Sequence, residues 1–429
     1  MTNSTLCLLL LGLTLLISSP AGAASPPPTT ETAPTMETVQ HRAFDFFWKE
    51  SDPITGLTKD RAQNLGDAPD THTIASTAAT GYALAALPIG VSHKWITRDQ
   101  GYARALTTLR FVHDKLPNNH GFYYHFVDKS TGERQWKCEI SSIDTALLLL
   151  GARVAGDYWP GTEVQKVAES LTDHADWPWM QRGEGTAPQE LAFSMGWQPE
   201  TGWINSRWRG YSEASCLYWL AMGSRSHPVS PDTWDAWDVV LTKLEGYPVF
   251  GGPEPLFMAQ MAPAFINVDS LRDRQGRDWW NAWRNAHLAD HAFCRRNPDS
   301  SKTFAEGFWG ISANDQPDGY GADYPAAGRS RGTVSPTAML TSVIFTPNLA
   351  HSALQNIWRK HGSRIWGRYG FSNAFNVEKN WYDKDVIGID LGMMLLADEN
   401  AHSGLIWRLM NTDAVIRRGL SAAGFTTKN

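Results

Sequence analysis

Five apolar stretches recur along the chain, and each opens on small or hydroxyl-bearing residues. They are "TIASTAATGYALAAL" from Thr73, "EISSIDTALLLLGARVAG" from Glu139, "GYSEASCLYWLAMG" from Gly210, "SPTAMLTSVIF" from Ser335 and "GIDLGMMLLADEN" from Gly388. A helix that is apolar on nearly every side is stable only when other helices surround it. The first three starts lie roughly 65–70 residues apart, a weak internal repeat of geometry more than of letters. A gap follows the third, and "NAWRNAHLADHAFCRRN" (Asn281 to Asn297) is expected to supply the missing member. More amphipathic stretches lie between them, such as "DQGYARALTTLRFVHDKL" and "WPGTEVQKVAESLTDHADWPWM". An inner helix paired with an outer one, repeated about six times, fills the chain. The expected fold is therefore all-α, an (α/α)6 toroid. Strand signals are thin: "GFYYHFVDKSTGERQWK" (Gly121 to Lys137) reads as a small β-hairpin insertion.

The ends and the composition narrow the class. "LCLLLLGLTLLI" (Leu6 to Ile17) is too short to span a bilayer comfortably and precedes the small residues "SSPAGAAS". Residues 1–24 are read as a signal peptide, although residues 1–5 hold no Lys or Arg. A Pro- and Thr-rich leader follows over 25–38, and 39–429 forms one domain. The expected location is the periplasm or the exterior, with no membrane span in the mature chain and a monomeric state. A net charge of −6 argues against a nucleic-acid partner. Three cysteines remain after cleavage, Cys138, Cys216 and Cys294, and their apolar helical settings suggest buried free thiols. No metal-binding motif is present and no cofactor is implied. Twenty tryptophans suit either stacking on sugar rings or anchoring a large core.

Acids sit where the apolar helices begin. Glu139 and Asp144 open one, Glu213 in "GYSEAS" another, Asp390 in "GIDLG" a third. If the inner helices share a funnel, these carboxyls converge as glycosidic cleavage requires: one protonates the leaving oxygen, another activates water. A bland alternative stands beside this. Ser141-Ser142-Ile143-Asp144 also matches a capping box, and a helix dipole welcomes any anion in its first turn. Capping accounts poorly for Glu139, which would precede the cap. A helix start lowers a carboxyl pKa, so Glu213 needs desolvation by Trp208, Tyr211 or Trp219 to act as an acid.

At these residues the chain resembles the bacterial glucoamylase-like glycoside hydrolases, a family that includes the endo-β-1,2-glucanases. The resemblance runs from about Phe44 to Leu420 through "DPITGLTKDR", "ATGYALAALPIGV", "GFYYHFVD", "EISSIDTALLL", "YSEA", "WGISANDQPDGY", "RYGFSNAFN" and "IGIDLG" with the following "SGLIWRLM". It implies an (α/α)6 toroid, a β-glucan bound in a central cleft, and inverting acid/base hydrolysis without metal. Glu213 and Asp390 match family positions linked to catalysis or close substrate contact. Asp144 matches a family acid that is often Glu. The family has another acid three residues earlier, where this chain has Ser141, and Glu139 supplies a charge nearby. Arg61 and the aromatic loops carrying Tyr211, Trp309, Asp318, Tyr320, Trp366 and Tyr369 correspond to substrate-contact regions. Exo-action, transfer to another sugar, a glucan-binding protein with degenerate acids, or a lyase are the rival readings. A binder could lose Glu213 or Asp390, which this chain keeps, and a lyase would need basic residues facing uronates.

Overall fold

All five apolar stretches are helical in the computed structural model, which describes residues 32–181 and 191–428. In chain order the helices are α1 (Met36–Lys49), α2 (Thr77–Ser92), α3 (Arg98–Asp114), α4 (Ser142–Tyr158), α5 (Glu163–His174), α6 (Trp177–Gln181), α7 (Ser215–Gly223), α8 (Met261–Phe265), α9 (Trp279–Arg296), α10 (Lys302–Ala305), α11 (Pro336–Thr341), α12 (Pro347–Ile365), α13 (Gly388–His402), α14 (Leu405–Thr412) and α15 (Ala414–Ala422). The predicted signal peptide lies outside the described residues. The first helix starts at Met36, capped by Thr35, within the segment read as leader.

Helices α2, α4, α7, α8, α11 and α13 are buried along most of their length. They pack on one another: α2 on α4 and α13, α4 on α7, and α13 also on α8 and α11. Small residues make this possible. A Cβ on Gly151 of α4 would lie 1.9 Å from the Gly81 carbonyl oxygen of α2, so the two backbones touch. The hydroxyl residues at the starts have their own cause. A buried helix end cannot give its free N–H groups to water, so side chains take them. Ser76 accepts from the Ala79 N–H and Ser141 from the Asp144 N–H, each at 3.3 Å.

Two expectations are corrected here. The member missing after residue 210 is the short, fully buried α8, not residues 281–297. Helix α9, which covers those residues, leaves Asn281, Arg284, Arg295 and Arg296 exposed and buries one side only. The 121–137 stretch is only partly a hairpin. A single bridge joins Val127 to Arg134, while Phe126–Asp128 pairs with Ile74–Ser76 and Phe122–Tyr123 with Asn118–Asn119. The aromatic run has more apolar surface to gain from the helix starts than from the polar "DKSTGE" turn.

Arg61–Gln63 pairs antiparallel with Asp385–Ile387, tying an early segment to the start of α13. Much of the aromatic content is core: Trp177, Trp219, Trp234, Trp237, Trp279 and Trp283 are fully buried. Among the described residues, Cys138, Cys216 and Cys294 are free and buried. Among the described residues no helix is long and apolar enough to cross a membrane, and no group of three or more His, Cys, Asp or Glu is arranged to hold a metal ion.

Candidate active site

The starts of α2, α4 and α13 and the turn before α7 open onto one cavity of about 460 Å³. Asp60, Arg61, His125, Phe126, Trp136, Asp144, Glu213, Phe257 and Tyr320 are among its lining residues. Acids, one imidazole and aromatic faces thus share a pocket that is otherwise largely apolar.

Glu213 stands on the turn just before α7, not within its first turn: the helix begins at Ser215, after Ala214. That turn is pinned from several sides. The Trp237 indole donates to the Gly210 carbonyl at 2.7 Å, the Tyr218 hydroxyl to the Trp208 carbonyl at 2.6 Å, and the Trp208 indole to the Ser142 hydroxyl at 2.9 Å. Glu213 Oε2 is buried and has no hydrogen-bond partner. Burial pushes the carboxyl up to about 7, and Asp144 and Glu254 add repulsion in the same sense. Desolvation therefore prevails over the helix end, and near neutral pH the group can hold a proton.

Asp144 lies in the first turn of α4. Its carboxylate accepts from the Ser141 hydroxyl at 2.6 Å and lies 3.4 Å from His125 Nε2. Ser141 caps the helix, but the reciprocal half of a capping box is missing: the Asp144 side chain faces the cavity and His125. Glu139 lies on the other side of that ring, 2.9 Å from Nδ1, and this bond holds its carboxyl below the usual range. Burial alone would push the His125 imidazole down, but Asp144, Glu139 and Asp60 outweigh it and bring it up to about 9. An imidazolium thus sits between two carboxylates. Asp60 is pushed up by burial against the opposing pull of Arg61, whose guanidinium also meets Asp315 at 2.9 Å.

Asp390, in the first turn of α13, is not among the cavity-lining residues. Asn373 donates to its carboxyl at 2.5 Å, and burial pushes it up to about 7 despite that bond. In α2 the Tyr82 hydroxyl is fully buried without a partner, and its pKa is driven well up by burial, then by Cys216, Asp390, Asp144 and Glu213.

Of the anticipated contact residues, Arg61 and Tyr320 line the cavity, and Tyr320 is exposed at its mouth. The others do not line it. Asp318 is at an exposed hairpin turn, paired with Arg331. Tyr211 packs on Phe250 and Trp279 and donates to the Met258 carbonyl. Trp366 packs edge-on to Trp358 and Phe371, Tyr369 is buried against Phe46 with its hydroxyl on Glu50, and Trp309 borders a separate pocket with His291. Each ring is committed to packing, which a count of aromatic residues in loops cannot reveal. Sequence reasoning missed His125, Phe126 and Trp136. The signal for the first two was the "YYHFVD" run, whose chemistry was hidden in a hairpin assignment.

These features define a class: a predominantly helical protein that gathers carboxyls, an imidazole and aromatic faces from distant segments at one cavity. The comparisons agree and are more specific. The family model Glycoamylase, described as "Putative glucoamylase", matches residues 205–414. A Bacteroides fragilis structure described in the same words is 29% identical, with a TM-score of 0.85 over 94% of this chain and 100% of that one. The endo-β-1,2-glucanase of Chitinophaga pinensis, solved with sophorotriose and glucose, is 25% identical, with a TM-score of 0.83 over 91% of this chain and 98% of the other. Among curated proteins, an exo β-1,2-glucooligosaccharide sophorohydrolase of Parabacteroides distasonis is 24% identical over 90% of this chain. The chain spans 57% of that relative's length. The chain is thus similar to the glucoamylase-like proteins and to β-1,2-glucan hydrolases that share their fold.

Proposed function

We propose that this protein is a glycoside hydrolase that cleaves β-1,2-linked glucan by inversion, acting on internal linkages. The observation that carries the reading is Glu213: a carboxyl at about 7 with an unpartnered oxygen, facing a second carboxylate in a cavity walled by aromatic residues. In the reaction, the Glu213 proton passes to the glycosidic oxygen as the C1–O bond breaks. Water attacks C1 from the opposite face and gives its proton to Asp144. One carboxyl that holds a proton and another that can accept one divide the acid and base roles in this way. Helix axes in packed pairs stand about 8–10 Å apart, which suits the roughly 6.5–9.5 Å that inversion needs better than the 5–5.5 Å of retention.

The buried helices and their amphipathic neighbours support an (α/α)6 toroid, with the cavity at its funnel. The apolar N-terminal run supports export to the periplasm or beyond. The curated relative favours a second reading, exo-release of sophorose from a chain end. The test is incubation with linear β-1,2-, β-1,3-, β-1,4- and α-1,4-glucans, with product chromatography and proton NMR of the first reducing ends. The expected result is a ladder of oligosaccharides from β-1,2-glucan alone, released first as the α-anomer. Sophorose as the sole early product would establish exo-action, and initial β-anomer would show retention.

A further inference from the structure

We infer that Trp136 is a sugar-stacking platform at the mouth of the cavity, held in place by Arg134, and that it sets affinity for the glucan chain. The inference rests on the glucan-hydrolase reading. Three observations converge on it. Trp136 is 68% exposed, the most exposed tryptophan of the described large hydrophobic residues, yet it lines the cavity. An exposed indole face offers what a pyranose ring binds: a flat apolar surface beside polar edges.

The second observation is backbone conformation. Trp136 and Lys137 both have positive φ, 51° and 52°. Two successive side-chain-bearing residues in the left-handed region are unusual, and such a conformation persists only where surroundings enforce it. The third observation is the device that enforces it. Arg134 donates to the Lys137 carbonyl and to the Cys138 carbonyl, each at 2.6 Å. Its guanidinium is fixed in turn by Glu200, at 2.6 and 3.0 Å, and lies over the Tyr124 ring, 4.9 Å from its centroid. Gln198 donates to the same Lys137 carbonyl at 3.2 Å. One guanidinium thus clamps the left-handed pair and leaves the indole edge-on to Phe126, 5.1 Å between centroids. A planar fork suits this task and a lysine does not.

The test compares Trp136→Ala, Trp136→Phe, Arg134→Ala and Arg134→Lys with the unaltered chain. Trp136→Ala is expected to raise KM about three- to tenfold, in line with an aromatic contact, with kcat within about twofold. Trp136→Phe should fall between. Both Arg134 variants should raise KM in the same way, although Arg134 does not line the cavity. Affinity is also measured calorimetrically in the Glu213→Gln background with β-1,2-, β-1,3- and β-1,4-gluco-oligosaccharides. If another linkage is bound, the linkage reading fails, and Trp136 is judged on that glucan. Unchanged affinity and KM in Trp136→Ala for whichever glucan binds would overturn the platform alone. Failure of every glucan to bind would overturn both.

Discussion

A carboxyl with an unpartnered oxygen inside a protein is costly when charged, and Glu213, through its Oε2, is in that position. Its raised pKa carries two consequences of opposite use. Activity that needs the protonated acid is present below about 7 and falls as pH rises through it, so the basic limb of kcat/KM should lie near that value. Stability follows the same group. Its folded pKa exceeds the unfolded 4.5, so the contribution is full below 4.5 and is lost as pH rises through about 7. Glu213→Gln should therefore melt higher than the parent at pH 8, by about 2 °C, and not at pH 4, while hydrolysis drops about 10²–10⁴-fold. A calorimetric scan at the two pH values checks it. Asp144→Asn separates structural partner from catalyst. The cap uses Ser141's hydroxyl and Asp144's own N–H and survives the change, so the stability lost should be that of the carboxylate's contacts with Ser141 and His125, about 1–3 kcal/mol, while turnover collapses. Lost stability with retained turnover would make the Asp144 carboxylate a structural partner of Ser141 and His125 and remove it from catalysis. At this scale the sequence showed the acids, because carboxylates at apolar helix starts are anomalous. It did not show His125, whose protonation depends on carboxyls from two distant segments, Asp60 on one and Glu139 with Asp144 on the other.

At the scale of elements, the crossing of α2 and α4 positions Asp144. Gly81 and Gly151 let the two backbones meet, and a methyl group at Gly151 would overlap a carbonyl that cannot move aside. Gly151→Ala is expected to cost about 3 kcal/mol or more and to lower activity by shifting the helix that carries Asp144. Denaturant unfolding with parallel activity assays would check both effects. Wild-type stability would show that the crossing has slack. Helix identity was legible in the sequence wherever an apolar run was long. It failed between residues 210 and 335. There the buried member is only Met261–Phe265, too short for periodicity to register, and the longer amphipathic α9 took its place in the reading.

For the molecule as a whole, parts distant in sequence are closed onto one another. Helix α15 packs on α7 through Gly419, whose Cβ would lie 2.0 Å from the Trp219 carbonyl oxygen, and Phe425 meets Trp219 and Trp234 edge-on or tilted. Ending the chain at Asp413 should uncover this tryptophan cluster and abolish its near-UV circular dichroism. A retained native spectrum would show α15 to be dispensable. The overall helical class was legible because the apolar segments repeat. The closure was not, since two three-residue strands, 61–63 and 385–387, carry little signal of their own. Their pairing has a consequence for biosynthesis. The cavity draws residues from Asp60 through Ile389, so a ribosome must have joined the whole stretch between them before the cavity can close.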